Sequence, residues 1–216
     1  MSRESRNFPV AKEGMVFILP LAAITVILWS MRFSIPAGFF TLLTLFVIYF
    51  FRDPERSIPP EEKAILSPAD GKVIKIEPCV EERFLKGPAL KISVFMTLFS
   101  VHVNRIPLSG RIADSSYFPG KFFCANLDKA SSANEQNALL LESLDGVHVL
   151  LVQIAGLIAR RIVCWVRKGD RVVRGQRFGL VRFGSRLDIY LPQNIRVQAQ
   201  PGQKAYGGKT ILGYLP

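Results

Sequence analysis

Gly184 and Ser185 sit inside a strand-like run, Phe178 to Pro192, and the chemistry open to them is that of a peptide bond cut by its own chain. The flanks Leu180-Val181-Arg182-Phe183 and Arg186-Leu187-Asp188-Ile189-Tyr190-Leu191 alternate apolar and polar residues as a half-buried strand does, so turn chemistry does not account for the pair. Glycine within a strand marks a bulge or a close backbone approach. Where the Gly184 carbonyl is strained beside the Ser185 hydroxyl, that hydroxyl can attack the carbonyl of its own preceding peptide. The same two residues also fit a bulge glycine followed by an exposed serine. A site is a constellation, so the choice turns on what stands nearby.

Three other segments carry candidate chemistry. In Ser67-Pro68-Ala69-Asp70-Gly71-Lys72-Val73, proline and glycine bracket a turn that presents Asp70 just before a strand. In the run Phe95 to Pro107, His102 lies among apolar residues with Asn104 and Arg105 close behind. The chain has only two histidines, which narrows the choice of an acid/base group near neutral pH. The other, His148, falls in an alternating strand and reads as packed structure. From Phe118 to Asn137, Phe118, Phe122 and Phe123 accompany Lys121 and Lys129, as a core-packed loop or a membrane-touching surface would.

The elements that must position these residues fall into two regions. Residues 15–31 and 37–51 are uncharged apolar runs joined by Arg32-Phe33-Ser34-Ile35-Pro36. Each is short for a span, since a run of this size rises roughly 25 Å against about 30 Å of hydrocarbon. They read as a helical hairpin, with Arg3, Arg6 and Lys12 before it and Arg52 and Arg56 after it. By the positive-inside rule the rest of the chain is then cytoplasmic, anchored to the cell membrane through residues 15–51. A pair of buried core helices is the competing reading.

From Glu61 onward, short Val/Ile/Phe-rich runs alternate with Gly, Pro, Asp and Asn punctuation, which favours a sandwich or barrel over βαβ units. Only Ala125 to Leu144 reads as partly helical. Arg167 to Arg177 sets turns on either side of Val172-Val173, like the hairpin of a lipoyl-type barrel, without its carrier lysine. The expected fold is therefore mainly β, a sandwich or barrel with a lipoyl-like hairpin, preceded by the hydrophobic helical hairpin. The domains expected are 1–56 and 57–216.

With 28 Lys and Arg against 17 Asp and Glu, the chain is strongly basic. RNA-binding and helix-turn-helix patterns are absent, so an anionic membrane is the expected partner and nucleic acid is not. Cys79, Cys124 and Cys164 are scattered and odd in number, and read as reduced packing residues instead of a disulfide framework or metal site.

Taken in order, SPADGKV, SVHVNR, DKASSANEQN and FGS resemble the phosphatidylserine decarboxylase family in its short form. The resemblance implies a proenzyme cut between Gly184 and Ser185 into a large β chain (1–184) and a small α chain (185–216). Ser185 then becomes a pyruvoyl group, with no metal and no external cofactor. It implies His102 as base, steered by Asp70, and His102 again as proton donor in turnover. The pyruvoyl ketone takes the amine of phosphatidylserine and accepts the electrons left when CO2 departs, giving phosphatidylethanolamine. Phe95, Leu98 and Phe99 are candidates for an apolar wall around the carboxylate. Arg105 and Arg186 are candidates for the lipid phosphate.

Two residues depart from the pattern. Arg186 stands where better-known members have threonine after the cleaved serine, and Arg105 stands where they have a second histidine. The rival readings are a membrane-tethered, non-enzymatic adaptor with a lipoyl-like β domain, and a decarboxylase of another serine-bearing lipid. A homo-oligomer is compatible with either.

Overall fold

The computed structural model describes residues 9–123, 133–156, 161–182 and 185–216. Contacts divide the chain into two compact units, Met1–Glu55 and Arg56–Pro216.

In the first unit a 3-10 turn, Lys12–Gly14, leads into α1 (Met15–Ser30), and Arg32, at φ 60°, turns the chain into α2 (Ser34–Phe50). Lys12–Ser30 is long and apolar enough to cross a membrane by length and composition. Neither helix has a cap side chain, and their outward residues are large and apolar: Val16, Leu19, Val26, Leu42 and Leu45 are all more than half exposed. Between the helices the contacts include polar ones. Thr25 and Thr44 share a hydroxyl contact of 3.3 Å, and Trp29 Nε1 donates to Thr41 Oγ1 at 3.2 Å. Thr25, Thr41 and Thr44 also return their hydroxyls to backbone carbonyls four residues earlier, which leaves few polar groups facing outward. Buried core helices would hide these apolar side chains, so the sequence's hairpin reading matches the exposure within this unit.

The second unit is mainly β, as the spacing of its apolar runs requires. Its largest sheet has eight strands in the order β13 (Lys204–Ala205), β2 (Gly71–Glu81), β3 (Gly87–Met96), β11 (Ser185–Leu191), β7 (His148–Ala155), β6 (Gln136–Ser143), β5 (Gly110–Phe118) and β9 (Arg171–Val172). Two three-stranded sheets complete the unit. One is β4 (Val103–Arg105), β10 (Arg177–Val181) and β8 (Ile162–Cys164) in the order β4-β10-β8. The other is β1 (Ala64–Leu66), β14 (Ile211–Tyr214) and β12 (Arg196–Val197) in the order β1-β14-β12.

Period-two alternation decides what each face holds. Ile92, Val94 and Met96 of β3, Leu139 and Leu141 of β6, Val149 and Leu151 of β7, and Leu187, Ile189 and Leu191 of β11 form one core with Phe178 of β10 and Leu212 of β14. Each such side chain withdrawn from water contributes about 1.5–3 kcal/mol before the entropy of ordering is subtracted. The opposite face holds Ala138, Leu150, Val152 and Ile154, covered by Phe84, Leu85, Phe118 and Tyr190. Glu81 folds the covering loop back by accepting hydrogen bonds from the amides of Arg83, Phe84 and Leu85 at 3.1, 2.8 and 2.6 Å.

Two local expectations change. The run Phe178 to Pro192 is not one strand: β10 and β11 lie in different sheets. Of the segment expected to be partly helical, Gln136–Ser143 is strand β6, because its leucines gain a two-sided burial that overrides helix propensity. The turn-strand-turn reading of 167–177 is matched, with Gly169 and Gly175 at positive φ on either side of β9.

Candidate active site

Ser185 is the first residue of β11 and has no exposed surface, so the exposed-serine reading of its sequence does not hold. It pairs with Met96 on one side and Ala155 on the other, at the end of the sheet where β3 and β7 also finish. Its hydroxyl donates to Met96 Sδ at 3.8 Å. Gly184 lies outside the described residues.

The aspartate turn reaches the same end through β3. Lys72 pairs with Phe95, next to Met96, so the turn at Asp70-Gly71 stands two strands from Ser185, about 10 Å by strand spacing. Glycine is required at 71, since a Cβ there would collide with the Phe95 carbonyl. Asp70 is fixed at both oxygens: Oδ1 accepts from the Gly207 amide at 2.7 Å, and Oδ2 accepts from Arg56 Nη2 at 2.8 Å. A carboxylate held this way has its plane and charge set before any substrate arrives.

His102 leads into β4 and is 2% exposed. Its carbonyl accepts from the Val181 amide at 3.3 Å, at the last residue of β10, four positions before Ser185. The Arg105 amide donates to the Pro68 carbonyl at 2.8 Å, which ties β4 to the aspartate turn. Segments far apart in sequence, 67–71, 102–105, the end of β10 at Val181 and the start of β11 at Ser185, are thus tied together.

The other candidates are distributed differently. Phe95 is half-buried beside Arg186 on the sheet's second face, whereas Phe99 is 67% exposed on the connection from β3 to β4. Arg105 is buried with Nη1 donating to the Gly175 carbonyl at 2.9 Å. Arg186 is buried against Asp188, with Nε and Nη2 at 2.9 and 3.1 Å from its two carboxylate oxygens. Neither guanidinium opens to water as a phosphate receptor would, because each fills hydrogen-bonding demand inside the fold. Burial pushes the Asp188 carboxyl pKa up, against the pull of Arg186.

The segment after β5 is clamped by Asn134, whose Nδ2 donates to the carbonyls of Phe123 and Ala155 at 2.7 Å each. Lys121 and Phe123 stand exposed on it; Cys124 and Lys129 lie outside the described residues. His148 is exposed, not packed, at the end of β7 away from Ser185. Cys79 and Cys164 are free thiols, and burial raises the pKa of both.

Sequence reasoning missed Arg56 as the partner of Asp70, and it missed a row of buried amides, Asn104, Asn137 and Gln153. The signal for the amides was present: Gln153 and Asn137 occupy core-facing positions in alternating strands.

The β scaffold thus holds a buried serine at the head of a central strand, with a histidine and an anchored aspartate in segments tied to the same end of the sheet. Comparison with known proteins names the enzyme type. Residues 43–213 match the family model described as phosphatidylserine decarboxylase. Proteins called phosphatidylserine decarboxylase proenzyme from Geotalea uraniireducens, Geobacter metallireducens and Syntrophotalea carbinolica are each 49% identical to this chain. The aligned parts cover 98%, 97% and 98% of this chain, and 99%, 98% and 99% of those relatives. The chain belongs to the phosphatidylserine decarboxylase family.

Proposed function

We propose that this chain is a proenzyme that cuts itself between Gly184 and Ser185 and then decarboxylates phosphatidylserine to phosphatidylethanolamine and CO2. The observation that carries the reading is the placement of Ser185, buried at the first position of β11, in a chain aligned over nearly its whole length with decarboxylase proenzymes.

In maturation the Ser185 oxygen attacks the Gly184 carbonyl carbon while His102, steered by Asp70, takes the hydroxyl proton. The C–N bond breaks, the nitrogen is reprotonated, and the peptide becomes an ester. Loss of the Ser185 α-proton with departure of the Gly184 carboxylate leaves an unsaturated residue, and water then replaces its nitrogen, released as ammonia, with a ketone oxygen. The product is a pyruvoyl group at position 185 of the small chain.

The surroundings fit such a group. Position 185 is walled by Met96 and Ala155, and it lies beside neutral amides with no charged side chain among its paired neighbours on β3 and β7. When present, the pyruvoyl group supplies the carbonyl that takes up the substrate amine and the electrons released with CO2. The protein's own task is to exclude water from the reacting carboxylate, in part through Phe95, Leu98 and Phe99, and to deliver a proton from His102. Phosphate binding by Arg105 or Arg186 requires either to leave the partner it holds in the proenzyme, so the reading rests on Ser185, His102 and Asp70.

The helical hairpin keeps the enzyme on the membrane that holds a diacyl substrate, facing the cytoplasm by its flanking positive charges. Intact mass under denaturing conditions tests the whole reading. Wild type should give two chains split after Gly184, the smaller carrying a ketone in place of its serine amine, and Ser185→Ala should give one full-length chain. A single unmodified chain in both would remove the self-cleaving function.

A further inference from the structure

Beneath Ser185 the core changes character. One step below the level at which Ser185 faces Ala155, the leucines and isoleucines give way to amides. Asn137 Nδ2 donates to Gln153 Oε1 at 2.9 Å, Gln153 Nε2 donates to Asn104 Oδ1 at 2.8 Å, and Asn104 Nδ2 donates to Met96 Sδ at 3.6 Å. Met96 is the same side chain that receives the Ser185 hydroxyl. Exposure is 5% at Asn137 and zero at Gln153, Asn104, Met96 and Ser185.

Two features of this row point to a role beyond packing. Burying an amide is unfavourable unless it is hydrogen-bonded, and leucine serves at the neighbouring core-facing levels of β6 and β7, so apolar filling was open to Asn137 and Gln153. The row also has a direction. A thioether accepts and never donates, so Asn104 must turn its N–H toward Met96, which leaves its oxygen for Gln153 and in turn orients Gln153 toward Asn137. Three amide dipoles therefore align, with their N–H ends toward Met96 and Ser185. The same acceptor-only sulfur forces Ser185 to point its hydroxyl hydrogen at Met96. Because the acceptor is weak, that proton is held in place and still easily surrendered to a stronger base.

We propose that Asn104, braced by Gln153 and Asn137, is a positioning residue for Ser185: it fixes the Met96 thioether, and through it the orientation of the serine hydroxyl for attack on the preceding carbonyl. This rests on the self-cleavage reading given above. A misplaced nucleophile loses on the order of a hundredfold in rate.

The test measures the rate of self-cleavage and the melting temperature of freshly made full-length proenzyme for wild type, Asn104→Leu, Met96→Leu and the double variant. Met96→Leu conserves volume and keeps the fold, so it reads the role of the sulfur even if Asn104→Leu melts early. Each single change is expected to slow cleavage about a hundredfold. The double variant should be no more than about threefold slower than either single, because both remove one device and residues in contact do not contribute independently. Wild-type cleavage rates in the single variants, or rate losses that multiply in the double variant, would overturn the positioning role and leave self-cleavage standing. A wild-type chain that never cleaves would overturn both.

Discussion

The two faces of β11 solve opposite problems with alternate residues of one strand. Toward the main core it presents Ser185, Leu187, Ile189 and Leu191, with the Met96 thioether and the neutral amides of Asn104 and Gln153 beside the reactive residue. Toward the second face it presents Arg186, Asp188 and Tyr190, and buries a charged pair. Charge is tolerated one residue away from Ser185 because the pleat turns it to the other side of the sheet. Ser185 thus has a thioether and amides on its own face, and a rigid electrostatic clasp behind.

Removing half of the clasp should give the largest effect. Asp188→Ala leaves the Arg186 guanidinium buried without its carboxylate and should lower unfolding free energy by about 3–5 kcal/mol, read by denaturant titration of uncleaved Ser185→Ala protein. A loss below about 1 kcal/mol would mean that the second face relaxes open to water, and the contrast between the faces would collapse. Replacing both partners, Arg186→Met with Asp188→Leu, should bring stability back to within about 1 kcal/mol of the parent. If self-cleavage also persists in that double variant, the clasp holds the strand and takes no part in the chemistry.

The smallest effect lies farther along the second face, where Lys91 Nζ sits 2.5 Å from Glu77 Oε1. The hydrogen bond from Lys91 is the main cause that holds the Glu77 carboxyl pKa below its ordinary value of 4.5, with Lys75 adding to it. A carboxyl depressed in the folded state stabilises above its unfolded pKa and loses that contribution as pH falls through the folded value. Acid titration of stability should therefore show a drop of a few tenths of a kcal/mol below about pH 4.5 that Lys91→Met reduces, with Lys75 left to sustain the remainder. An unchanged acid limb in Lys91→Met would show that solvent screens this pair completely.

Much of this was legible in the chain, and the parts that were not have physical causes. Alternation and punctuation marked most strands, because a sheet buried on one side or both imposes period two or continuous apolar runs. Residues 136–143 read partly as helix since leucine and alanine favour helices; pairing with β5 and β7 decided otherwise, and no local signal carries that. Ser185, His102 and Asp70 could be named from their motifs. Their convergence could not, since it depends on β10 and β11 entering different sheets. The partners of the arginines were hidden for a related reason: a guanidinium in sequence looks available, and only the fold shows Arg105 bonded to the Gly175 carbonyl and Arg186 paired with Asp188.

The depth at which β11 is woven into the sheet has a consequence for the order of events in the life of the molecule. Residues 185–216 supply β11 between β3 and β7, β13 beside β2, and β14 beside β1. A cut before Ser185 therefore nicks the scaffold without releasing a fragment. The loss appears only on unfolding, when one tethered chain has become two free ones and regaining the structure depends on their concentration. The uncut precursor is in this sense its own assembly template, and the mature protein, once denatured and diluted, has lost the tether that first built it.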